Sequence, residues 1–513
     1  MEQLRSLLAD DTGGSQKRAV GLMILAAALG LLLVLRVWER DRLASFPGPR
    51  LAAWTRLHAV AAVLSGREHE IMLEAHRKYG PVVRWAPNTL LISDPMALPK
   101  VYHLRANKTP HYNQGPSEFK SMVEENDWRE HRRKRHRVDP LFSAKWDQND
   151  EPLVDRFIAD WIEALTARFT VPKSQVFDFS DWPNYLVLDI VFNRFFCRDM
   201  GFLKYGDKTG LLAGTRANNA LIHALARVPE VKNFLLHKFG RFLVPTPGDG
   251  SGLGHVLAFR DEILQERLSK SENNPQVRLD KVLFDPANAG MELEEFREDM
   301  LFIILGASDT TGHSIRCLIR NLLQNPSCLL RLRQELEAVL PVGSANASSI
   351  SFAKIKSQMP YLTACMRESL RHDPPIVSYL PRWVDSSNNN DNNNGTSGTE
   401  LCGNFVPAGV EVACSPFVLN RSRELFGDDV DAFRPERYAE ATPEWLAKAA
   451  RYDFTFGYGP RQCIGQTLSQ FIAYKAIVQL LYHFDIDLVE PGTGKAFLVW
   501  NYSGMRIRLT RRV

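Results

Sequence analysis

A ten-residue stretch, Phe456-Gly457-Tyr458-Gly459-Pro460-Arg461-Gln462-Cys463-Ile464-Gly465, constrains this chain more than any other. Its glycines and proline break regular structure and predict a turn whose backbone reaches positive φ and comes close to something flat. A thiolate held at such a turn is a soft, strongly donating metal ligand, and haem iron is one metal held that way. Arg461 can neutralise an anionic cofactor group, such as a haem propionate, through charge-assisted hydrogen bonds. The bland alternative is a buried free cysteine after a glycine-rich turn.

The chain has 513 residues, a length that suggests two or three domains but admits one large fold. A formal net charge of +4 is too small at this length to imply a nucleic-acid partner. Seven cysteines are scattered without a C-x-x-C pair, which argues against a disulfide framework or a zinc site and fits a reducing compartment.

Residues Ala19 to Leu35 are all apolar or glycine. As a helix they reach about 25 Å, near the lower limit for a bilayer span. The run is too long for a usual signal-peptide core, and Arg36-Val37-Trp38-Glu39-Arg40 offers no small-residue cleavage site, so an uncleaved anchor over 19–38 is expected after a short 1–18 segment. Flanking basic residues lean towards a cytoplasmic body. That topology expects the N-x-[ST] sequons at Asn107, Asn346, Asn394, Asn420 and Asn501 to stay unmodified.

Phe46-Pro47-Gly48-Pro49-Arg50 closes a stiff hinge over 39–50, leaving 51–513 as the body. Val82–Trp85 and Leu90–Ser93 flank Ala86-Pro87-Asn88-Thr89 and predict a β-hairpin. Helical patterns dominate from about Pro116 to Leu370. Strand signals return near Ser378–Val384 and Phe405–Val412, and a helix after Cys463 leads to a final hairpin near Leu498–Leu509. The Asn/Ser/Gly-rich 386–399 segment has nothing to bury and predicts a disordered surface loop.

Phe296–Leu323 contains no proline and predicts a helix long enough to cross a domain. Its middle, Gly306-Ala307-Ser308-Asp309-Thr310-Thr311, is locally inconsistent with an apolar helix, a mark of functional sites. A threonine hydroxyl there can bond back to the carbonyl of Gly306 and bend the helix beside a groove. A carboxylate and a hydroxyl near a metal supply a proton relay. An isolated Asp-Thr-Thr also reads as a solvated polar turn.

The motif F-x-x-G-x-R-x-C-x-G has every fixed position filled, and with Asp309-Thr310, Glu368-Ser369-Leu370-Arg371, Phe433-Arg434-Pro435-Glu436-Arg437 and Trp128-Arg129-Glu130-His131-Arg132 it resembles the cytochrome P450 family, the haem-thiolate monooxygenases. These matches run in the family's order, and Tyr79-Gly80-Pro81-Val82-Val83-Arg84 and Asp181-Trp182-Pro183-Asn184-Tyr185 look like fungal microsomal members, including the pisatin-demethylase-like group. The resemblance implies a mainly α (α+β) cytochrome P450 fold, a helix-rich prism with a small β region behind one N-terminal transmembrane helix. It implies haem b (iron protoporphyrin IX) on Cys463, with Phe456 in the cysteine loop and Trp128, Arg132, Arg382 and Arg461 on the propionates. It assigns Asp309 and Thr310 the acid and alcohol of oxygen activation, and Glu368, Arg371 and Arg437 a buried network. Ala307 departs from the family's glycine.

The implied activity inserts one atom of O2 into a lipophilic small molecule, in fungal secondary metabolism or in detoxification of a plant-derived aromatic compound. No flavin or nucleotide motif is present, so electrons are expected from an NADPH-cytochrome P450 reductase, with cytochrome b5 admitted as a further donor, at the endoplasmic reticulum membrane among membrane lipid. A non-oxygenating isomerase or dehydratase on the same scaffold is the alternative, and a haem-binding sensor a further one; Asp309 and Thr310 speak against both. Arg133, Lys134, Arg135 and Arg137 read either as a solvated basic face or as a docking patch for an acidic electron donor. Alignment with the fold sets Phe119, Met122, Phe302, Val377, Leu380, Ser503 and Met505 as pocket walls, each with ordinary core as its competing reading. Leu211–Gly254 is expected to cover the pocket entrance.

Overall fold

The computed structural model describes residues 41–113, 119–142, 150–171, 173–270, 279–288, 290–344, 349–385 and 397–512. Longer helices are numbered here along the chain. They are α1 (Leu57–Leu64), α2 (Glu68–Tyr79), α3 (Trp128–Phe142), α4 (Asp150–Phe169), α5 (Trp182–Phe196), α6 (Leu211–Ala226) and α7 (Pro229–Leu243). There follow α8 (Gly252–Lys270), α9 (Leu293–Gln324), α10 (Pro326–Val339), α11 (Phe352–Gln358), α12 (Pro360–His372), α13 (Pro443–Arg451) and α14 (Gln466–His483). Proline opens α10, α12 and α13, where its missing N–H costs nothing.

The predicted long helix is α9, extended by a turn at its start. Met300, Ile304, Ile315, Leu318, Ile319 and Leu322 are fully buried along it, each contributing about 1.5–3 kcal/mol relative to exposure. It packs against α5, α12 and α14, and this contact places its polar middle inside the fold.

Strands β1 (Val82–Ala86) and β2 (Thr89–Ile92) form the predicted hairpin. With β7 (Glu411–Ala413) and β4 (Arg382–Trp383) they make a sheet of order β1-β2-β7-β4. Only two residues of the Ser378–Val384 signal pair as strand. The Phe405–Val412 signal is split into β6 (Asn404–Pro407) and β7, because Gly409 turns the chain at φ +80°.

A second sheet, order β3-β9-β8, joins β3 (Val176–Asp178) to a closing hairpin of β8 (Phe484–Phe497) and β9 (Val499–Arg511). Leu498, expected as the start of the hairpin, is instead its turn at φ +87°. The strand reaches back to Phe484 because Phe484 and Ile486 alternate with exposed acids and bury one face. Of the low-complexity segment, 386–396 lies outside the described residues. Its last residues, Gly398 and Thr399, enter β5 (Gly398–Leu401), paired with β6.

From Gly48 onward the chain is one compact unit. The expected anchor over 19–38 lies outside the described residues, among which no helix is long and apolar enough to cross a membrane. Three sequon asparagines use their side chains internally: Asn107 accepts from Trp128 N, Asn420 donates to Leu370 O and Asn501 donates to Arg216 O.

Candidate active site

The cysteine loop is built by backbone. Cys463 N donates to Phe456 O at 2.8 Å, and Gln462 N donates to Gly459 O at 3.0 Å across a short 3-10 turn. Gly459 has φ +67°, and a Cβ there would stand 2.4 Å from Tyr102 O, so only glycine fits. Arg135 NH1 on α3 donates to Gln462 O at 2.6 Å, holding the loop from outside. Phe456 and Ile464 are half-buried against the main core. Burial pushes the Cys463 thiol pKa up, opposed by the Gly465 N–H and Arg135. Its side chain is nevertheless accessible, so it faces a space walled by protein.

α14 begins just past Cys463 and meets α9 where Thr311 Oγ1 donates to Ser469 Oγ at 3.0 Å. On α9, Thr310 Oγ1 donates to Gly306 O at 2.9 Å. A Cβ at Gly306 would meet nothing within 4 Å, so this stretch borders open space. Asp309, only 8% exposed, accepts from Asn184 Nδ2 of α5 at 2.7 Å. Burial raises its pKa, while Arg216 and Arg316 pull it back.

Four cationic or titratable side chains converge beside the loop. Arg382 is buried on β4, donates to Tyr112 Oη at 2.6 Å and makes no ion pair among the described residues. Arg461 donates to Glu125 O at 2.6 Å and Asn126 O at 2.9 Å, again without an ion pair. Burial and Arg382 push its pKa down to about 10. Burial, Arg382 and Arg461 lower that of Lys108. His131 is held neutral, its pKa lowered to about 2 by burial and then by Arg461, Lys108, Arg135 and Arg382. A buried and a half-buried guanidinium crowded together and satisfied only by neutral acceptors call for an anion. A thiol in a glycine cradle beside such a nest fits an iron-bearing group with two carboxylates. Among the described residues no cluster of His, Cys, Asp and Glu competes as a metal site.

The helix α3 carries two of the expected site residues and the basic run. Trp128 is half-buried, its N–H donating to Asn107 Oδ1 at 2.9 Å. Arg132 is exposed and has no partner among the described residues; His131, one residue earlier on α3, is buried beside Arg461, Lys108 and Arg382. The basic run is not a uniform face. Lys134 pairs with Glu125 at 3.0 Å, and Arg137 with Asp299 at 2.5 Å, all four being largely buried. Arg133 reaches Glu295 at 3.0 Å. These charges chiefly tie α3 to α9 and to the preceding loop.

Behind the loop, Glu368 takes Arg371 through two bonds of 2.7 and 2.8 Å, Arg437 Nε at 3.5 Å and Arg434 N at 2.9 Å. Arg371 also donates to Asn420 O, Val430 O and Ala432 O. The network is buried, as the i, i+3 spacing alone could not reveal. Of the suggested pocket walls, Met505 lies in the core and Val377 is buried beside Phe417, whereas Phe119 and Ser503 are exposed. A cavity of about 590 Å³ lined by Ile158, Ile162, Val171, His483 and Arg511 includes no residue of the cysteine loop. Sequence reasoning missed Lys108, Tyr112, His131 and Asn184. Of these His131 lay inside the W-x-x-x-R motif and Asn184 inside the Asp181–Tyr185 stretch that resembles fungal members, neither with a role assigned.

A family model described as Cytochrome P450 matches residues 47–506. The chain is 32% identical over 467 residues to the Cytochrome P450 monooxygenase cicH of Emericella nidulans, covering 88% of this chain and 90% of that protein. It is 29% identical over 490 residues to the Cytochrome P450 monooxygenase mpaDE of Penicillium roqueforti, covering 91% of this chain. It spans only 55% of that relative's length. Quiannulatic acid synthase of Emericella variicolor is 26% identical over 431 residues, 81% of this chain and 82% of that protein.

Proposed function

We propose, from the premise that this chain belongs to the cytochrome P450 family and is a P450 monooxygenase, that it oxygenates a lipophilic small molecule of fungal secondary metabolism. The observation that carries this reading is the accessible Cys463 thiol in its glycine cradle, beside a nest of unpaired buried cations and next to the Gly306–Thr310 groove of α9. Haem b bound there supplies dioxygen activation: with two electrons and two protons, one oxygen atom enters the substrate and the other leaves as water.

The chain's residues divide the remaining work. Cys463 is the iron ligand. Arg382, Arg461, Lys108 and His131, with Trp128 and Arg132 of α3, would hold the carboxylates. Thr310 keeps a hydroxyl at the groove through its bond to Gly306 O, and Asp309 behind it stores a proton. α6 and α7, filling most of Leu211–Gly254, cover the substrate side. Electrons come from a separate NADPH-dependent reductase that meets the exposed flank of α3. The apolar 19–38 segment anchors the protein to the endoplasmic reticulum membrane, with the body in the cytoplasm.

The test is the carbon-monoxide difference spectrum of the reduced, membrane-expressed protein. A strongly red-shifted Soret band is expected; its absence from folded, haem-loaded protein would refute the assignment. Thr310→Ala is expected to leave that band intact. Product formed per NADPH consumed should fall on the order of tenfold, with the missing electrons recovered as hydrogen peroxide. Unchanged stoichiometry would remove Thr310 from the relay.

A further inference from the structure

The Asp309 carboxylate is anchored by a residue of α5 to which no motif assigns a role. Asn184, in the first turn of α5, donates from Nδ2 to Asp309 Oδ1 at 2.7 Å. The same amide accepts through Oδ1 from Arg316 NH1 at 3.2 Å. Arg316 is 1% exposed, makes no ion pair among the described residues and also donates to Ser180 O at 2.5 Å. One amide thus bridges a buried acid and a buried guanidinium two turns apart on α9.

The bridge depends on a close helix approach. A Cβ at Gly312 would stand 2.7 Å from Asn184 Oδ1 and 3.1 Å from Asn184 Cα. Glycine at that position lets α5 come near enough for an amide as short as asparagine's to reach Asp309. From the other side, Arg216 of α6 stands 3.9 Å from the same Oδ1 and binds Asp181 at 2.6 Å. The groups facing Asp309 are therefore Asp181 and Asn184 from α5, Arg216 from α6 and Arg316 from α9 itself. All the polar contacts of the carboxylate fall on Oδ1. Among the described residues Oδ2 has none.

We infer that Asn184 is a positioning residue for proton delivery, anchoring Oδ1 of Asp309 so that Oδ2 is the oxygen that takes up and releases the proton. This rests on the relay role proposed above for Asp309. The amide cannot itself titrate, so it fixes the acid's rotamer at every pH. By donating to the carboxylate it favours the charged form and limits the rise that burial imposes on the acid's pKa. Fixing one oxygen matters because small misplacement of a proton donor carries a large rate penalty.

Two variants separate this role from packing. Asn184→Asp keeps the shape and the acceptor for Arg316 but removes the donor to Asp309. Asn184→Leu removes both bonds at similar volume. Both are compared with Asp309→Asn and with the Asn184→Asp/Asp309→Asn double variant, in full-length protein with reductase. The readouts are the product-to-NADPH ratio across pH, the carbon-monoxide band, and infrared titration of the Asp309 carboxyl by difference from Asp309→Asn. The expected result is an intact band, a product-to-NADPH ratio about tenfold lower, and deprotonation of Asp309 moved to higher pH in both Asn184 variants. Asn184→Asp should add nothing once Asp309 is asparagine. Wild-type coupling and titration in both Asn184 variants, beside an uncoupled Asp309→Asn, would overturn the positioning role alone. Full coupling in Asp309→Asn would overturn the relay reading instead.

Discussion

Replacing Cys463 with serine is expected to abolish the red-shifted carbon-monoxide band and to bring oxygenation below detection while leaving the fold standing. The loop does not depend on the thiol. Its shape comes from the bond of Cys463 N to Phe456 O, the 3-10 turn at Gly459 and the grip of Arg135 on Gln462 O. Serine keeps every one of these. What changes is the donor atom: an alcohol deprotonates far less readily than a thiol and is a harder, weaker donor to iron. Circular dichroism and the denaturation midpoint should match wild type while the spectrum does not. A retained thiolate-type band in Cys463→Ser would mean that another group holds the iron.

Glu368→Ala has the opposite signature, with the fold itself failing. Glu368 is fully buried and accepts from Arg371, Arg437 and the Arg434 backbone. Its loss leaves the buried Arg371 guanidinium without its carboxylate, while Arg437 keeps Asp429 at 2.8 Å. Breaking a buried pair by removing one partner typically costs about 3–5 kcal/mol, a large share of a marginal stability. Arg371 also pins three carbonyls between Asn420 and Ala432, so the segment leading to the cysteine loop should loosen with it. The expected outcome is a sharp fall in recoverable haem-loaded protein and a lower denaturant midpoint for what remains. A midpoint equal to wild type would show that the network carries little of the stability.

The two variants also show where sequence was sufficient. The features around Cys463 are local: a thiol, its glycines and its arginine lie within ten residues, and turn chemistry needs no distant partner. The same holds for the Thr310 hydroxyl, whose acceptor at Gly306 is one helical turn away, and for the β1–β2 hairpin. Even the long helix α9 was legible, because a proline-free apolar run has few other solutions.

What sequence could not supply was which way each side of a helix faces. On α3 a charged run left Arg132, Lys134 and Arg137 indistinguishable; packing against α9 and the preceding loop buried the last two and left the first exposed. It was packing, too, that turned His131 into the cationic nest with Arg382 and Arg461, residues far along the chain. No sequence pattern gave Asn184 or Lys108 a role, since their roles exist only where α5 meets α9 and where the segment after β2 meets β4. Sequence by itself determined the chemistry of the cysteine loop and the existence of the helix beside it, because both arise from short-range backbone preference. Tertiary structure alone decided which charges are buried, which acid is anchored and by what, because burial and electrostatics belong to the assembled elements and not to any one of them.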